Sequence, residues 1–104
     1  MKTVNWKAPN GLEFEWDPAK AQANLRKHMV PFLMACEAFK DSSALERPDA
    51  SSDYDEERWI VLGCVNHTIL SVVFTRREQR IRLISARRAN PNEQRTYWTG
   101  DLSA

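Results

Sequence analysis

RWIVLGCVNHTILSVVFTRREQRIRLISARR, residues 58–88, is the most informative segment of this chain. It contains three runs rich in β-branched and aromatic residues, at 58–65, 68–75 and 80–88, and such runs predict strands. Asn66 and His67 separate the first two runs, and they favour a tight hairpin because Asn tolerates a positive φ. RREQ supplies the second turn. The segment therefore predicts an antiparallel β-meander.

Two helices are predicted before the meander. FEWD, residues 14–17, indicates a short strand, and Asp17 then caps a helix that begins at Pro18 and continues to about His28. A second helix begins at Pro31, because apolar residues follow at the spacing i, i+3, i+4, i+7 that marks a core-facing helix. These residues are Phe32, Ala35, Cys36 and Phe39.

The remaining segments complete an α+β domain. DSSALERPDASSDYDEE, residues 41–57, is rich in Ser, Asp and Pro and predicts an exposed loop, with room for a short edge strand around Leu45. Pro91 and Asn92 open a short final helix over NEQRTYW. The order β-α-α-β-β-β-α, without βαβ crossovers, predicts an antiparallel sheet that carries two N-terminal helices and a short C-terminal helix. We divide the chain into an N-terminal extension (1–13), a single domain (14–98) and a C-terminal tail (99–104).

Composition is that of a soluble globular protein. The chain has 104 residues, of which 42% are hydrophobic and 28% charged, so it can build one core. It shows no membrane-spanning apolar run and no signal peptide, which predicts a cytoplasmic protein. Cys36 and Cys64 lie in apolar patterns and are expected to be reduced core residues. The two histidines and the acidic loop match no metal-ligand spacing, so we predict neither a metal nor another cofactor.

Charge is strongly separated along the chain although the net charge is only +1. Residues 41–57 contain seven acids and one arginine, a net charge of −6. Residues 76–95 contain seven arginines and two glutamates, a net charge of +5. Arginine binds phosphate or carboxylate groups bidentately, so the second block is a candidate anion-binding surface.

Polar residues of the first helix form one stripe. Lys20, Asn24, Lys27 and His28 recur at i, i+4, i+7, i+8 and share a helical face. His28 can exchange a proton at neutral pH, but a histidine at a helix C-terminus is also stabilised there by the helix dipole alone. The lysines could hold a phosphate backbone or could simply be solvated. The pattern leaves these alternatives open.

Strand alternation sorts the arginines of the last strand. Unless a bulge intervenes, Arg80, Arg82 and Arg88 project from one face and Arg87 from the other. Arg76, at the end of the preceding strand, lies across from Arg80 or Arg82. We therefore prefer a phosphate clamp of Arg76, Arg82 and Arg88, with Arg87 as an alternative at the strand end. The competing interpretation is that these arginines form salt bridges with Glu56, Glu57 and Glu93.

Several motifs together resemble a known family. FEWDPAKAQANLRKH at 14–28, IRLISARRA at 81–89, and Glu93 with Tyr97 are similar to the BrnT family of bacterial type II toxins. The resemblance covers about residues 14–97. Met29 stands in place of the family's glycine after Lys-His, and Pro31 in place of its serine. Gln94 and Arg95 stand for the family's Glu-Arg pair, shifted by one position.

The resemblance implies a RelE-like fold and an endoribonuclease that arrests growth by cutting RNA. It also implies a cognate BrnA-type antitoxin that binds operator DNA and forms a hetero-oligomer with the toxin. Cutting RNA without a metal requires proton transfer and stabilisation of charge on phosphorus. We predict that the catalytic residues are His28, Lys27, Arg76, Arg82, Arg87 and Arg88. We predict RNA contacts by Lys20, Arg77, Arg80 and Tyr97, with ring stacking by Tyr97 or Trp98.

Two other functions remain open on the sequence. The arginine-rich strands could form a non-catalytic module that binds nucleic acid or an acidic protein. The chain could also be a toxin-like remnant that only assembles with its antitoxin and helps to repress a promoter. RNA that is bound but never cut would indicate the first of these. Intact RNA together with strong antitoxin binding would indicate the second.

Overall fold

The structure is a computed structural model that describes residues 2–50 and 56–101. Two acids of the acidic loop, Asp53 and Asp55, and residues 102–104 of the predicted tail lie outside the described residues. In the described ranges no helix is both long and apolar enough to cross a membrane.

In the part of the chain that the structure describes, six strands form one sheet and three α-helices accompany it. The strands are β1 (Val4–Lys7), β2 (Glu13–Trp16), β3 (Leu45–Pro48), β4 (Trp59–Val65), β5 (Thr68–Arg77) and β6 (Arg80–Arg88). Their order across the sheet is β1-β2-β6-β5-β4-β3. The helices are α1 (Pro18–His28), α2 (Phe32–Glu37) with a 3-10 turn after it (Ala38–Lys40), and α3 (Pro91–Thr99). The α+β class is confirmed, and β3 is the edge strand anticipated around Leu45.

The prediction of an antiparallel sheet is wrong, because β2 runs parallel to β6. The two helices and three strands between β2 and β6 provide the long connection that a parallel pair needs. The predicted element order also lacks β1, which pairs antiparallel with β2 at one edge. Residues 4–7 thus belong to the sheet, while the division of the chain at residues 13 and 98 stays a prediction.

Local turn chemistry explains the meander. Asn66 and His67 form the β4–β5 turn with φ of 48° and 68°, as the hairpin prediction requires. Glu78, in the β5–β6 turn, has a φ of 57°. The predicted meander is therefore confirmed.

Helix α1 begins and ends where the sequence indicates. The Asp17 side chain accepts a hydrogen bond from the Ala19 N–H at 2.9 Å, and Pro18 follows at the first position. Met29 ends the helix in the left-handed conformation, with φ of 61°, and donates its N–H to Leu25 O. Met29 thus adopts the conformation that a C-terminal glycine would provide, so α1 and α2 are joined by a tight turn.

Helices α1 and α2 pack on one face of the sheet, here called the helix face. Phe39, after α2, meets Phe14 of β2 at 5.3 Å and Phe74 of β5 at 5.0 Å between ring centroids, both edge to face. Such pairs contribute about 0.5–1.5 kcal/mol each beyond their burial. Gly63 of β4 lets the 3-10 turn approach closely, because a Cβ there would lie 2.4 Å from Ala38 O. The main apolar core lies on this face.

Helix α3 packs on the opposite face, over the β4 side of the sheet. Tyr97 of α3 joins Leu62, Ile69 and Ala89 in a second, smaller apolar cluster. The rest of this face, over β2, β6 and the adjoining part of β5, carries Arg77, Arg80, Arg82 and Arg87. We call this region the arginine face.

Candidate active site

A β-bulge in β6 decides which arginines share a face. Val73 of β5 pairs with Ser85, and Phe74 pairs with Leu83, so Ile84 has no partner on β5. One extra residue shifts the alternation of side chains by one position. Arg82 and Arg87 therefore both project from the arginine face, and the alternation predicted for an unbroken strand is wrong.

Arg76 lies on the helix face. Its guanidinium carbon is 5.1 Å from the ring centroid of Phe74 and 5.4 Å from that of Trp59. Its Nη2 lies 3.0 Å from both carboxylate oxygens of Glu46. Arg82 pairs instead with Thr75, whose side chain points to the other face. The predicted clamp of Arg76, Arg82 and Arg88 is therefore wrong, because the sheet separates Arg76 from Arg82.

The arginine face is built from ion pairs between neighbouring strands. Arg82 Nη1 lies 2.6 Å from Glu15 Oε2, and both side chains are largely buried, at 16% and 11% exposure. Parallel pairing of β2 and β6 sets these two residues side by side. Arg80 of β6 also pairs with Glu13 of β2, at 3.6 Å, while Arg77 pairs with Glu56, before β4, at 2.9 Å and Arg87 with Glu93 of α3 at 2.7 Å. The predicted partner Glu56 thus pairs with Arg77 rather than with an arginine considered for the clamp, and the hydrogen bond from Arg77 lowers the pKa of that carboxyl.

Arg87 is held in place and yet accessible. Its two terminal nitrogens donate to the two oxygens of Glu93, at 2.7 and 3.0 Å. Glu93 is buried and also accepts the Asn90 N–H in a capping box at the start of α3. Burial alone would raise the pKa of Glu93, but the hydrogen bonds from Arg87 and Asn90 outweigh it and lower the pKa. The Arg87 side chain stays 42% exposed, so it can also bind an incoming anion.

Asn24 joins α1 to β6. Its Nδ2 donates to Ala86 O at 2.8 Å and to Val30 O at 2.9 Å, and its Oδ1 accepts the Ala86 N–H at 3.0 Å. The buried amide thus replaces a neighbouring strand along this part of β6, because β2 pairs with β6 only as far as Arg82.

The same contact directs the polar stripe of α1 towards the end of β6. Lys27 and His28 lie three and four residues beyond Asn24 on the same side of the helix, with Cβ atoms about 5–6 Å away. Across residues 2–50 and 56–101, no hydrogen bond or ion pair is made by the side chains of Lys20, Lys27, His28 and Arg88. These side chains are therefore available to a ligand.

Tyr97 is a core residue. Its ring is only 8% exposed, and its hydroxyl donates to Asp41 Oδ2 at 2.6 Å. That hydrogen bond, together with burial, raises the pKa of Tyr97 to about 12. The predicted stacking of Tyr97 on RNA does not fit this placement. The neighbouring Trp98 is 72% exposed.

Three residues position groups in or near the site, and the sequence alone indicated no role for them. Glu15 and Asn24 hold Arg82 and the end of β6, and Asp41 holds Tyr97. Glu15 carried a signal, since it is a carboxylate between two core aromatics, Phe14 and Trp16, and needs a partner when its strand is buried. The contacts of Asn24 and Asp41 span 62 and 56 residues, and no local pattern indicates them.

Within residues 2–50 and 56–101, Arg82 and Arg87 share the arginine face and Arg76 lies on the helix face, while α1, which packs on the helix face, reaches the edge of β6 through Asn24. Comparison with curated proteins finds no match. A family model described as the ribonuclease toxin BrnT of type II toxin-antitoxin systems matches residues 16–93, three quarters of the chain. The match begins at Trp16, the last residue of β2, and covers α1, α2 and the meander of β4, β5 and β6. The chain belongs to the BrnT family of type II ribonuclease toxins.

Proposed function

We propose that this protein is an endoribonuclease toxin that cuts RNA without a metal, over the bulged half of β6. The observation that carries the proposal is the arrangement of Arg87, which buried Glu93 holds bidentately while the guanidinium stays 42% exposed. A cation fixed before the substrate arrives stabilises developing negative charge without reorganisation. Arg82, on the same face, is held by one hydrogen bond from its Nη1 to Glu15 Oε2 at 2.6 Å.

We propose the following chemistry for these residues. The ribose 2′-oxygen attacks the adjacent phosphorus, the bond from phosphorus to the 5′-oxygen breaks, and the products are a 2′,3′-cyclic phosphate and a 5′-hydroxyl. Arg87 and Arg82 neutralise the extra charge on the phosphoryl oxygens. His28, assisted by Lys27, takes the proton from the 2′-hydroxyl and returns one to the leaving 5′-oxygen. Arg88, Lys20, Arg77 and Arg80 bind the flanking phosphates.

Family membership supports the biological setting that we propose. A type II toxin acts in the cell that makes it and is neutralised by a protein antitoxin, so we assign a cytoplasmic location, growth arrest and a BrnA-type partner. Toxin and antitoxin form a hetero-oligomer, and operator DNA is bound through the antitoxin. The proposed fold relationship is to the RelE toxins.

The test is RNA cleavage by the purified protein in excess chelator. The proposal predicts fragments that end in 2′,3′-cyclic phosphate, and a large loss of rate in His28→Ala and in Arg82→Ala. Arg26→Ala is the matched control, since Arg26 is exposed on the same helix as His28 and has no role in the site. Full activity in both site variants would contradict the roles assigned here.

A non-catalytic binding module is the second candidate. Its supporting observation is that the side chains of Lys20, Lys27 and Arg88 make no ion pair within residues 2–50 and 56–101, so they can bind an anionic partner without any catalysis. This candidate predicts RNA that binds with a steep salt dependence and stays intact.

A further inference from the structure

An exposed tryptophan stands at the end of the proposed cleavage site. Trp98, on α3, is 72% exposed, the most of the large hydrophobic side chains in residues 2–50 and 56–101. It lines a shallow depression together with His67, Arg88, Ala89 and Gln94. Proteins that bind single-stranded nucleic acids combine exposed aromatic rings with nearby cations. The ring stacks on a base, and the cation binds a phosphate.

The ring of Trp98 packs against the ring of Tyr97. Tyr97 meets it edge to face, with ring centroids 5.0 Å apart and planes at 86°. Tyr97 is itself anchored by the hydrogen bond of 2.6 Å from its hydroxyl to Asp41. Asp41 also accepts the Cys64 N–H of β4 at 2.8 Å, so the support reaches the sheet. The anchored ring of Tyr97 therefore supports one side of the Trp98 indole, which reduces the entropic cost of ordering it on binding.

The depression is electrostatically suited to a nucleotide. None of the described residues that line it is acidic, and Arg88 makes no ion pair within the described parts of the chain. This distinguishes Arg88 from Arg82 and Arg87, which already hold carboxylates. Gln94 donates its Nε2 to Ala89 O at 3.1 Å, which leaves its side-chain oxygen free to accept from a base edge.

The depression adjoins the proposed cleavage site at the end of β6, although the successive side chains of Arg87 and Arg88 leave the strand on opposite sides. Arg88 directly follows Arg87 on β6, and Arg87 also donates to Arg88 O at 3.2 Å. An RNA strand whose scissile phosphate lies at Arg87 can therefore place a flanking nucleotide at Arg88 and Trp98.

We infer that Trp98, Arg88 and Gln94 form a subsite for one unpaired nucleotide of the RNA, with its base stacked on Trp98 and its phosphate on Arg88. This inference rests on the proposed function, since it assumes that RNA is the ligand. It makes single-stranded RNA the substrate class, because a base in a duplex cannot offer its face to the indole.

The probe is a short single-stranded RNA with a 2′-O-methyl group on every ribose, which blocks attack by the 2′-oxygen and leaves only binding. Trp98→Ala should weaken binding roughly 5- to 100-fold, the loss of one stacked base. Trp98→Tyr should retain most of the affinity. Arg88→Ala should lower the slope of log affinity against log salt by about 0.7. An oligonucleotide with the same backbone but no bases should bind wild type and Trp98→Ala equally.

Controls separate this inference from the proposed function. Leu33→Ala, which removes another exposed apolar side chain on α2, should leave RNA affinity unchanged. Wild-type protein that neither binds nor cuts RNA would overturn the proposed function, and the subsite with it. Wild-type protein that cuts RNA while Trp98→Ala binds the probe with unchanged affinity would overturn the subsite alone. Loss of antitoxin binding in Trp98→Ala with RNA affinity intact would also overturn it, since the surface would then be a protein interface.

Discussion

The helix face and the arginine face are the two sides of the same strands, but different interactions stabilise each of them. On the helix face, Phe14, Phe39 and Phe74 pack edge to face under α1 and α2. On the arginine face, neighbouring strands are joined by ion pairs such as Arg82–Glu15. Apolar burial is the main stabilising term in folding, whereas a buried ion pair contributes little net stability because both charges lose their hydration. The comparison indicates that the helix face stabilises the domain and that the arginines serve another purpose.

The largest loss of stability should come from removing only one of the two partners of an ion pair. Arg82→Met should lower the free energy of unfolding by about 3 kcal/mol, because it leaves the Glu15 carboxylate nearly buried and without its partner. The double variant Glu15→Leu, Arg82→Met should lie within about 1 kcal/mol of wild type, since it removes both charges. Urea unfolding measures both values. A double variant as unstable as the single one would show that the ion pair itself stabilises the fold.

Two adjacent valines of β5 allow the packing of the two faces to be compared directly, since one side chain lies on each face. Val72 is fully buried in the helix-face core, whereas Val73 is half-buried on the arginine face. Val72→Ala should cost about 2 kcal/mol of unfolding free energy, from two lost methyl groups and the cavity they leave. Val73→Ala should cost about half of that or less. Equal losses, again measured by urea unfolding, would mean that both faces are packed equally well.

The attachment of α3 should depend on pH through Asp41 and Tyr97. Tyr97→Phe should cost about 1.5 kcal/mol at pH 7, because the lost hydrogen bond goes to a carboxylate. Burial would raise the pKa of Asp41, but hydrogen bonds from Tyr97 and the N–H groups of Cys64 and Ser43 lower it. The contribution of Asp41 is therefore present above its unfolded pKa of about 3.9 and is lost as the pH falls through its lower folded pKa.

On the alkaline side the limit is set by Tyr97. Its pKa is raised to about 12, so the contribution is complete below the unfolded value of about 10 and disappears as the pH rises towards 12. The difference in stability between wild type and Tyr97→Phe should thus form a plateau between about pH 4 and 10. Thermal unfolding across this range is the measurement. A difference that does not change down to pH 2 would exclude the Asp41 carboxylate as the acceptor.

Local chemistry made the meander and α1 predictable. Asn66 and His67 adopt the positive φ that the hairpin needs, and Asp17 with Pro18 starts α1 where such residues start helices. Membership in the family could also be inferred from the sequence, because the motifs around residues 14–28 and 81–89 are themselves sequence features.

The sheet topology and the placement of the arginines depend on long-range pairing and could not be predicted. β2 is only four residues long and lies beside β6, which begins more than 60 residues later, so nothing local indicates that the pair is parallel. The bulge at Ile84 has no glycine or other mark in the sequence, and it moved Arg87 to the face of Arg82. The candidate clamp failed for a different reason: Arg76 pairs with Ile81 rather than with Arg80 or Arg82, so the sheet separates it from Arg82.

Arg87 and Arg76 provide the most direct comparison of the two faces. They are similarly exposed, at 42% and 48%, and each binds one glutamate, but they lie on opposite faces of the sheet. The measurement is single-turnover cleavage of RNA in excess chelator by Arg87→Ala and by Arg76→Ala. We predict that Arg87→Ala lowers the rate about 100-fold or more, as expected for a lost transition-state contact, and that Arg76→Ala stays near the wild-type rate. Equal losses in the two variants, or a larger loss in Arg76→Ala, would contradict the placement of RNA cleavage on the arginine face.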